Sequence, residues 1–103
     1  MQRIANLKDI ERGESLSFTY RGKKAILVRT REDRLAAYIA ICPHAGGDIE
    51  WDEGIHKLLC ETHMSLFNPE DGSLYKHSKA VDLDEGLTGV DLKIDEGQDI
   101  YAL

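Results

Sequence analysis

Cysteine is scarce in this 103-residue sequence, which contains only Cys42 and Cys60, and proline is equally scarce with two residues. Two cysteines cannot build a disulfide-rich scaffold. The longest apolar run covers residues 35–42, far short of the roughly 20 residues that a membrane-spanning helix requires. Basic residues are in the minority, with 13 Lys and Arg against 19 Asp and Glu and a net charge of −6. This balance argues against nucleic acid or an anionic membrane as a partner, because both favour basic surfaces.

The rest of the composition is that of a small globular protein. Hydrophobic residues make up 42% of the sequence, an ordinary share that argues against intrinsic disorder. The length predicts a single domain over residues 1–103. No apolar segment typical of a secretory signal peptide follows Met1, so we expect a cytoplasmic protein whose thiols stay reduced.

Short apolar or alternating segments recur along the chain with turn residues between them, as in a β protein. The segment 42–53 is predicted to be a loop, because it contains proline, two adjacent glycines and several acids. The best helical candidate is one turn over residues 7–11. The pattern predicts an all-β fold, a small antiparallel β-barrel or sandwich. Its predicted strands cover residues 15–20, 25–28, 35–41, 56–60, 65–68, 74–75, 90–94 and 100–103.

Both cysteines stand beside a histidine at the end of a predicted strand. Cys42 and His44 form the pattern C-x-H, and Cys60 and His63 form the pattern C-x-x-H. Two ligands on one tight loop can reach a metal with little ordering entropy left to lose. The two pairs therefore predict a metal site.

Two other interpretations of these four residues remain open at this point. The cysteines could be small core residues and the histidines surface residues, although chance must then produce both pairings. A structural zinc site of the Cys₂His₂ type would make the chain a binding module. Zinc fingers, however, usually place both cysteines in one pair and both histidines in the other.

The two mixed pairs resemble the cluster-binding loops of Rieske proteins, in which two Cys hold one iron of a 2Fe–2S cluster and two His hold the other. The Gly-containing stretch 45–49 resembles the segment after the first histidine, and Phe67 and Gly72 resemble the aromatic and glycine after the second. The resemblance covers essentially the whole chain and implies a Rieske-type β fold. It implies that Cys42, His44, Cys60 and His63 bind the cluster.

Within that family, the length is similar to that of the small soluble ferredoxins of oxygenase systems. The resemblance implies a one-electron carrier rather than an enzyme, with a flavin-dependent reductase as donor and a terminal oxygenase or hydroxylase as acceptor. A small Rieske-fold subunit of a reductase complex is the alternative. Nothing in the sequence identifies the acceptor's substrate.

Two residues after the second pair bear on the reduction potential. Ser65 falls where high-potential relatives have a serine that donates a hydrogen bond to a cluster sulfur, and Phe67 falls where they have a tyrosine. Hydrogen bonds to sulfur raise the potential, and a phenylalanine ring cannot donate one. We therefore expect a potential in the lower half of the Rieske range of roughly −150 to +300 mV. The chain also departs from the family pattern in having no proline-rich third loop over residues 78–86.

Other polar and aromatic residues near the pairs receive more modest interpretations. His56 and His77 are predicted to be surface residues. Trp51, the only tryptophan, is predicted to lie in the loop between the pairs and to serve packing. The exposed acids of that loop would orient a basic partner surface. They are Asp48, Glu50, Asp52 and Glu53.

Overall fold

The computed structural model describes residues 1–42, 47–60, 65–76 and 86–103. The described chain consists of short strands and one 3₁₀ turn, Leu7–Asp9, which lies inside the helical turn predicted over 7–11. None of its helices is long and apolar enough to cross a membrane. The strands are β1 (Gln2–Asn6), β2 (Ser15–Tyr20), β3 (Lys23–Arg29), β4 (Leu35–Ile39), β5 (Ile49–Asp52), β6 (Lys57–Cys60), β7 (Ser65–Phe67), β8 (Leu74–Lys76), β9 (Gly89–Val90), β10 (Leu92–Ile94) and β11 (Asp99–Ala102).

These strands form three antiparallel sheets. The central sheet has the order β2-β3-β4-β9, the second β5-β6-β7-β8, and the third β1-β11-β10. The predicted all-β, antiparallel fold is confirmed. Its clearest local cause is the hairpin β2–β3, whose two-residue loop has positive φ at both Arg21 (49°) and Gly22 (79°). Positive φ at both positions is typical of a turn whose twist matches that of the flanking strands.

The central sheet separates two hydrophobic clusters. Ile26 and Val28 of β3 face one cluster, while Leu27 between them faces the other, because successive strand residues point to opposite faces. The cysteine-side core comprises Ile26, Val28, Tyr38, Ala40, Cys42, Ile49, Leu58, Cys60, Phe67 and Leu87. The opposite core comprises Ile10, Leu27, Ala37, Val90, Ile100 and Ala102.

Three parts of the strand prediction are wrong. Residues 49–52, predicted as loop, form β5, and Trp51 therefore lies on a strand that pairs with β6. Residues 2–6, which carry no strong alternation, form β1 by pairing with β11. The single predicted strand over 90–94 is divided into β9 and β10, which belong to different sheets. In each case tertiary pairing outweighs the local preference of the segment.

Candidate metal centre

The two cysteines lie at the ends of neighbouring backbone ladders. Cys42 follows β4, and its amide donates a hydrogen bond of 2.7 Å to the carbonyl of Gly47. Next to it, Ile41 forms a bridge with Asp48. Cys60 ends β6 and pairs with Ile49. The segment 47–49 therefore lies in antiparallel contact with both cysteine-bearing segments and brings them into one place.

Both thiols are buried in the same apolar environment. Cys42 is 1% exposed and Cys60 is 0% exposed, and both belong to the cysteine-side core. The two thiols are not joined in a disulfide. Thiolate sulfur is the soft ligand that iron–sulfur clusters use, and coordination offsets the high cost of a buried negative charge. The described part of the centre therefore fits a cluster with two cysteine ligands.

The two histidines of the predicted ligand set, His44 and His63, lie outside the described residues. In the sequence, His44 is two residues from Cys42 and His63 is three residues from Cys60. The role of both histidines remains a prediction.

The two residues linked to the potential are close to Cys60. Ser65 is 1% exposed and stands directly opposite Cys60 in the pairing of β6 with β7. Phe67 is fully buried and stands opposite Leu58 in the same pairing. Both side chains are in the protein interior beside the cysteines, which is where residues that tune a cluster must be.

A tyrosine that sequence reasoning missed packs on the same core. Tyr38 of β4 is 4% exposed, and its hydroxyl donates a hydrogen bond of 2.7 Å to the carbonyl of Pro69 in the β7–β8 turn. Burial, followed by the negative charges of Asp71 and Glu70, raises the pKa of Tyr38 to about 12. The apolar sequence of residues 35–41 indicated burial, but only the folded chain shows the partner of the Tyr38 hydroxyl.

The raised pKa of Tyr38 predicts a loss of stability at high pH. The folded state favours the neutral phenol, so this stability is complete below the unfolded pKa of about 10 and is lost as the pH rises toward 12. Two pKa units correspond to roughly 2–3 kcal/mol. Tyr38→Phe has no phenol to ionise and should not show this loss. The free energy of unfolding of the wild type should therefore fall relative to that of the variant by this amount between about pH 10 and pH 12. Urea unfolding of both proteins between about pH 9 and pH 12 measures this change. If the free energies of unfolding of the two proteins depend on pH in the same way, the raised pKa of Tyr38 is contradicted.

Predictions were also made for Trp51, His56 and His77. The indole nitrogen of Trp51 donates a hydrogen bond of 2.7 Å to the carbonyl of Gly13, consistent with a packing role on β5. His56, predicted to be a surface residue, has a side chain only 12% exposed and a positive φ of 55° in the turn before β6, so that prediction is wrong. His77 lies outside the described residues.

Several of the acidic residues in segment 48–53 already make contacts within the chain. Asp48 is exposed and lies 3.7 Å from the ammonium of Lys24. Asp52 accepts a hydrogen bond from the amide of Ile55 within the β5–β6 turn. The backbone carbonyl of Glu53 accepts a hydrogen bond of 2.7 Å from the guanidinium of Arg31. The predicted orienting role of these acids is not tested by these contacts.

Comparison with known proteins agrees with this centre. Residues 1–86 match the family described as Rieske [2Fe-2S] domain. A Bacillus subtilis (strain 168) protein, YhfW, that carries the name of a Rieske 2Fe-2S iron-sulfur protein is 32% identical over 81 residues. The alignment covers 75% of this chain but only 16% of YhfW, so this chain corresponds to a small part of that relative.

Two solved structures share the fold at low sequence identity. The ferredoxin of carbazole 1,9a-dioxygenase from Nocardioides aromaticivorans IC177 is 21% identical with a TM-score of 0.73, covering 97% of this chain and 93% of that chain. The cyanobacterial plasma membrane Rieske protein PetC3 from Synechocystis PCC 6803 is 16% identical with a TM-score of 0.83, covering 100% and 99%.

Proposed function

Because this chain belongs to the Rieske [2Fe-2S] family and so holds a Rieske-type 2Fe–2S cluster, we propose that it is a one-electron carrier. In this proposal it receives electrons from a flavin-dependent reductase and delivers them to a terminal oxygenase or hydroxylase. The observation that carries the proposal is the pair of buried cysteines in one core of a Rieske domain. The fold shared with a dioxygenase ferredoxin over nearly the full length of both chains supports the oxygenase as acceptor.

The proposed ligands are Cys42 and Cys60 for one iron and His44 and His63 for the other. The bound cluster supplies a one-electron couple, and neutral imidazoles in place of two thiolates raise its potential. The chain's own part is to hold the two thiolates in place and to exclude water around them. The backbone pairing of segment 47–49 with both cysteine-bearing segments holds the thiolates in place. The apolar residues of the cysteine-side core exclude water.

As an electron carrier, the chain would not itself catalyse a reaction. We propose that residues 1–103 form one Rieske domain in the cytoplasm, where Cys42 and Cys60 stay reduced until they bind iron. The family match favours an iron–sulfur cluster over a structural zinc ion at these cysteines. The second candidate is a Rieske-fold subunit of a larger oxidoreductase, which the much longer relative YhfW favours.

Counting electrons tests the carrier proposal. The purified, oxidised protein is reduced anaerobically with dithionite, followed by visible absorption and EPR, and then reoxidised with ferricyanide. We expect uptake of one electron per chain, a low average g value that indicates mixed Cys/His ligation, and full recovery of the oxidised spectrum. A colourless protein would contradict the cluster. Stable co-purification with a larger subunit would favour the second candidate over a free carrier.

A further inference from the structure

Three hairpin turns meet near His56, which precedes β6, whereas Cys60 ends that strand. Glu32 lies in the β3–β4 turn, His56 in the β5–β6 turn and Glu70 in the β7–β8 turn. Cys60 stands at the other end of β6, so at ~3.3 Å per residue roughly 10 Å or more of strand separates it from His56. Cys60 is therefore not part of this meeting point.

The imidazole of His56 is largely buried, and its polar atoms are unsatisfied. Its side chain is 12% exposed, and within the described chain neither ring nitrogen, both of them buried, makes a hydrogen bond. The ring packs edge-on against Trp51 with centroids 5.0 Å apart. Buried polar atoms without a partner are uncommon in folded proteins, and each one calls for an explanation such as a bound ion.

Two carboxylates approach the same nitrogen of that ring. His56 Nε2 lies 3.9 Å from Glu32 Oε2 and 3.9 Å from Glu70 Oε2. One ligand atom from each of the three residues lies within 4.8 Å of the others. These separations are too long for hydrogen bonds. The carboxylate oxygens of Glu32 and Glu70 therefore lie close to each other and to the unsatisfied ring nitrogen.

The three side chains differ in how far they can move. This suits a metal site with one fixed ligand and two ligands that can adjust their positions. His56 is held by its packing, whereas Glu32 is 67% and Glu70 44% exposed, so their side chains can move inward. The Glu32 turn is itself held by Arg29, whose guanidinium donates a hydrogen bond of 2.7 Å to Asp33 and lowers the pKa of that carboxyl. Lys57, next to His56, has its ammonium over the ring of Tyr75 at 4.7 Å.

We propose that Glu32, His56 and Glu70 form a binding site for a divalent transition-metal ion, with Zn²⁺ as the probe. Imidazole nitrogen and carboxylate oxygen bind Zn²⁺ at about 2.0–2.2 Å, and water completes a four-coordinate site. The ion satisfies a buried imidazole nitrogen, removes the repulsion between the two carboxylates and links three hairpin turns. The acidic net charge of −6 also favours accumulation of cations.

Calorimetric titration of the cluster-loaded protein with ZnCl₂ tests the site. It is run near pH 8, where imidazole ligands are generally neutral, with the visible spectrum recorded to show that the cluster stays intact. We expect one Zn²⁺ per chain with a rise in Tm, because an ion that binds only the folded state stabilises it. Trp51 fluorescence is a second readout, since the only tryptophan contacts His56.

Four variants locate the ion. Glu32→Gln and Glu70→Gln keep side-chain size and are expected to weaken binding at least about tenfold. His56→Asn removes the imidazole while asparagine tolerates the positive φ at this position, and it should abolish both binding and the fluorescence change. Glu96→Gln, in the exposed turn between β10 and β11, is the matched control and should bind like the wild type.

Two results would overturn the metal site. One is no Zn²⁺ binding up to about millimolar concentration, far weaker than protein sites of this ligand type. The other is equal affinity in Glu32→Gln, Glu70→Gln and Glu96→Gln. Either result leaves the electron-carrier proposal untouched, because that proposal depends on Cys42 and Cys60 and not on Glu32, His56 or Glu70.

Discussion

Replacing Cys60 with serine is expected to abolish cluster incorporation, with iron content falling from two per chain to less than about one tenth of that. Cys60 is fully buried at the end of β6, so no other side chain can take its place without moving a strand. A serine hydroxyl is a hard oxygen ligand and stays protonated near neutral pH, which makes it a poor substitute for a thiolate. The same result is expected for Cys42→Ser.

Iron analysis and visible absorption of the purified variants measure the effect. Ser65→Ala is the matched control, because Ser65 is equally buried and stands directly opposite Cys60. It should retain both irons and, if its hydroxyl donates to a cluster sulfur, show a lower reduction potential. Full iron content in Cys60→Ser would show that this cysteine is a core residue and not a ligand.

Replacing Gly72 with alanine is expected to destabilise the fold by about 3 kcal/mol or more. Gly72 has φ +76°, and its carbonyl accepts a hydrogen bond of 2.8 Å from the amide of Leu87. A Cβ atom there would lie 2.6 Å from Cε1 and 3.0 Å from Cδ1 of Tyr38. The tyrosine ring cannot move aside easily, because it is buried and its hydroxyl is bonded to the carbonyl of Pro69.

Gly22→Ala separates this clash from simple backbone strain. Gly22 has nearly the same φ, +79°, but a Cβ there meets nothing within 4 Å. Only the left-handed backbone penalty of about 1 kcal/mol then applies. Urea unfolding of both variants in the cluster-loaded protein measures the difference. Equal losses would mean that the Tyr38 ring yields to the new methyl group.

The strands were predictable where strand-forming residues and turn residues stand next to each other in the sequence. The hairpin β2–β3 is an example, since the alternating residues of β2 and the apolar residues of β3 flank a turn with Gly22 at a positive φ. β5 was not predictable in this way. Its residues lie between acidic and glycine-rich segments, and they form a strand because Ile49 and Trp51 pair with Cys60 and Leu58. The strand preference of a segment depends on its pairing partner, which the pattern of that segment alone does not contain.

The spacing of the two Cys/His pairs was enough to predict the type of centre and the family, because the two members of each pair are close neighbours in the chain. Which distant segments meet is visible only in the folded chain. The tertiary structure placed Cys42 and Cys60 in one core through the ladders of segment 47–49. It also turned His56 inward to face Glu32 and Glu70, which no periodicity indicated. Backbone pairing and burial act between residues far apart in the chain, and such contacts exist only once the sheets have formed.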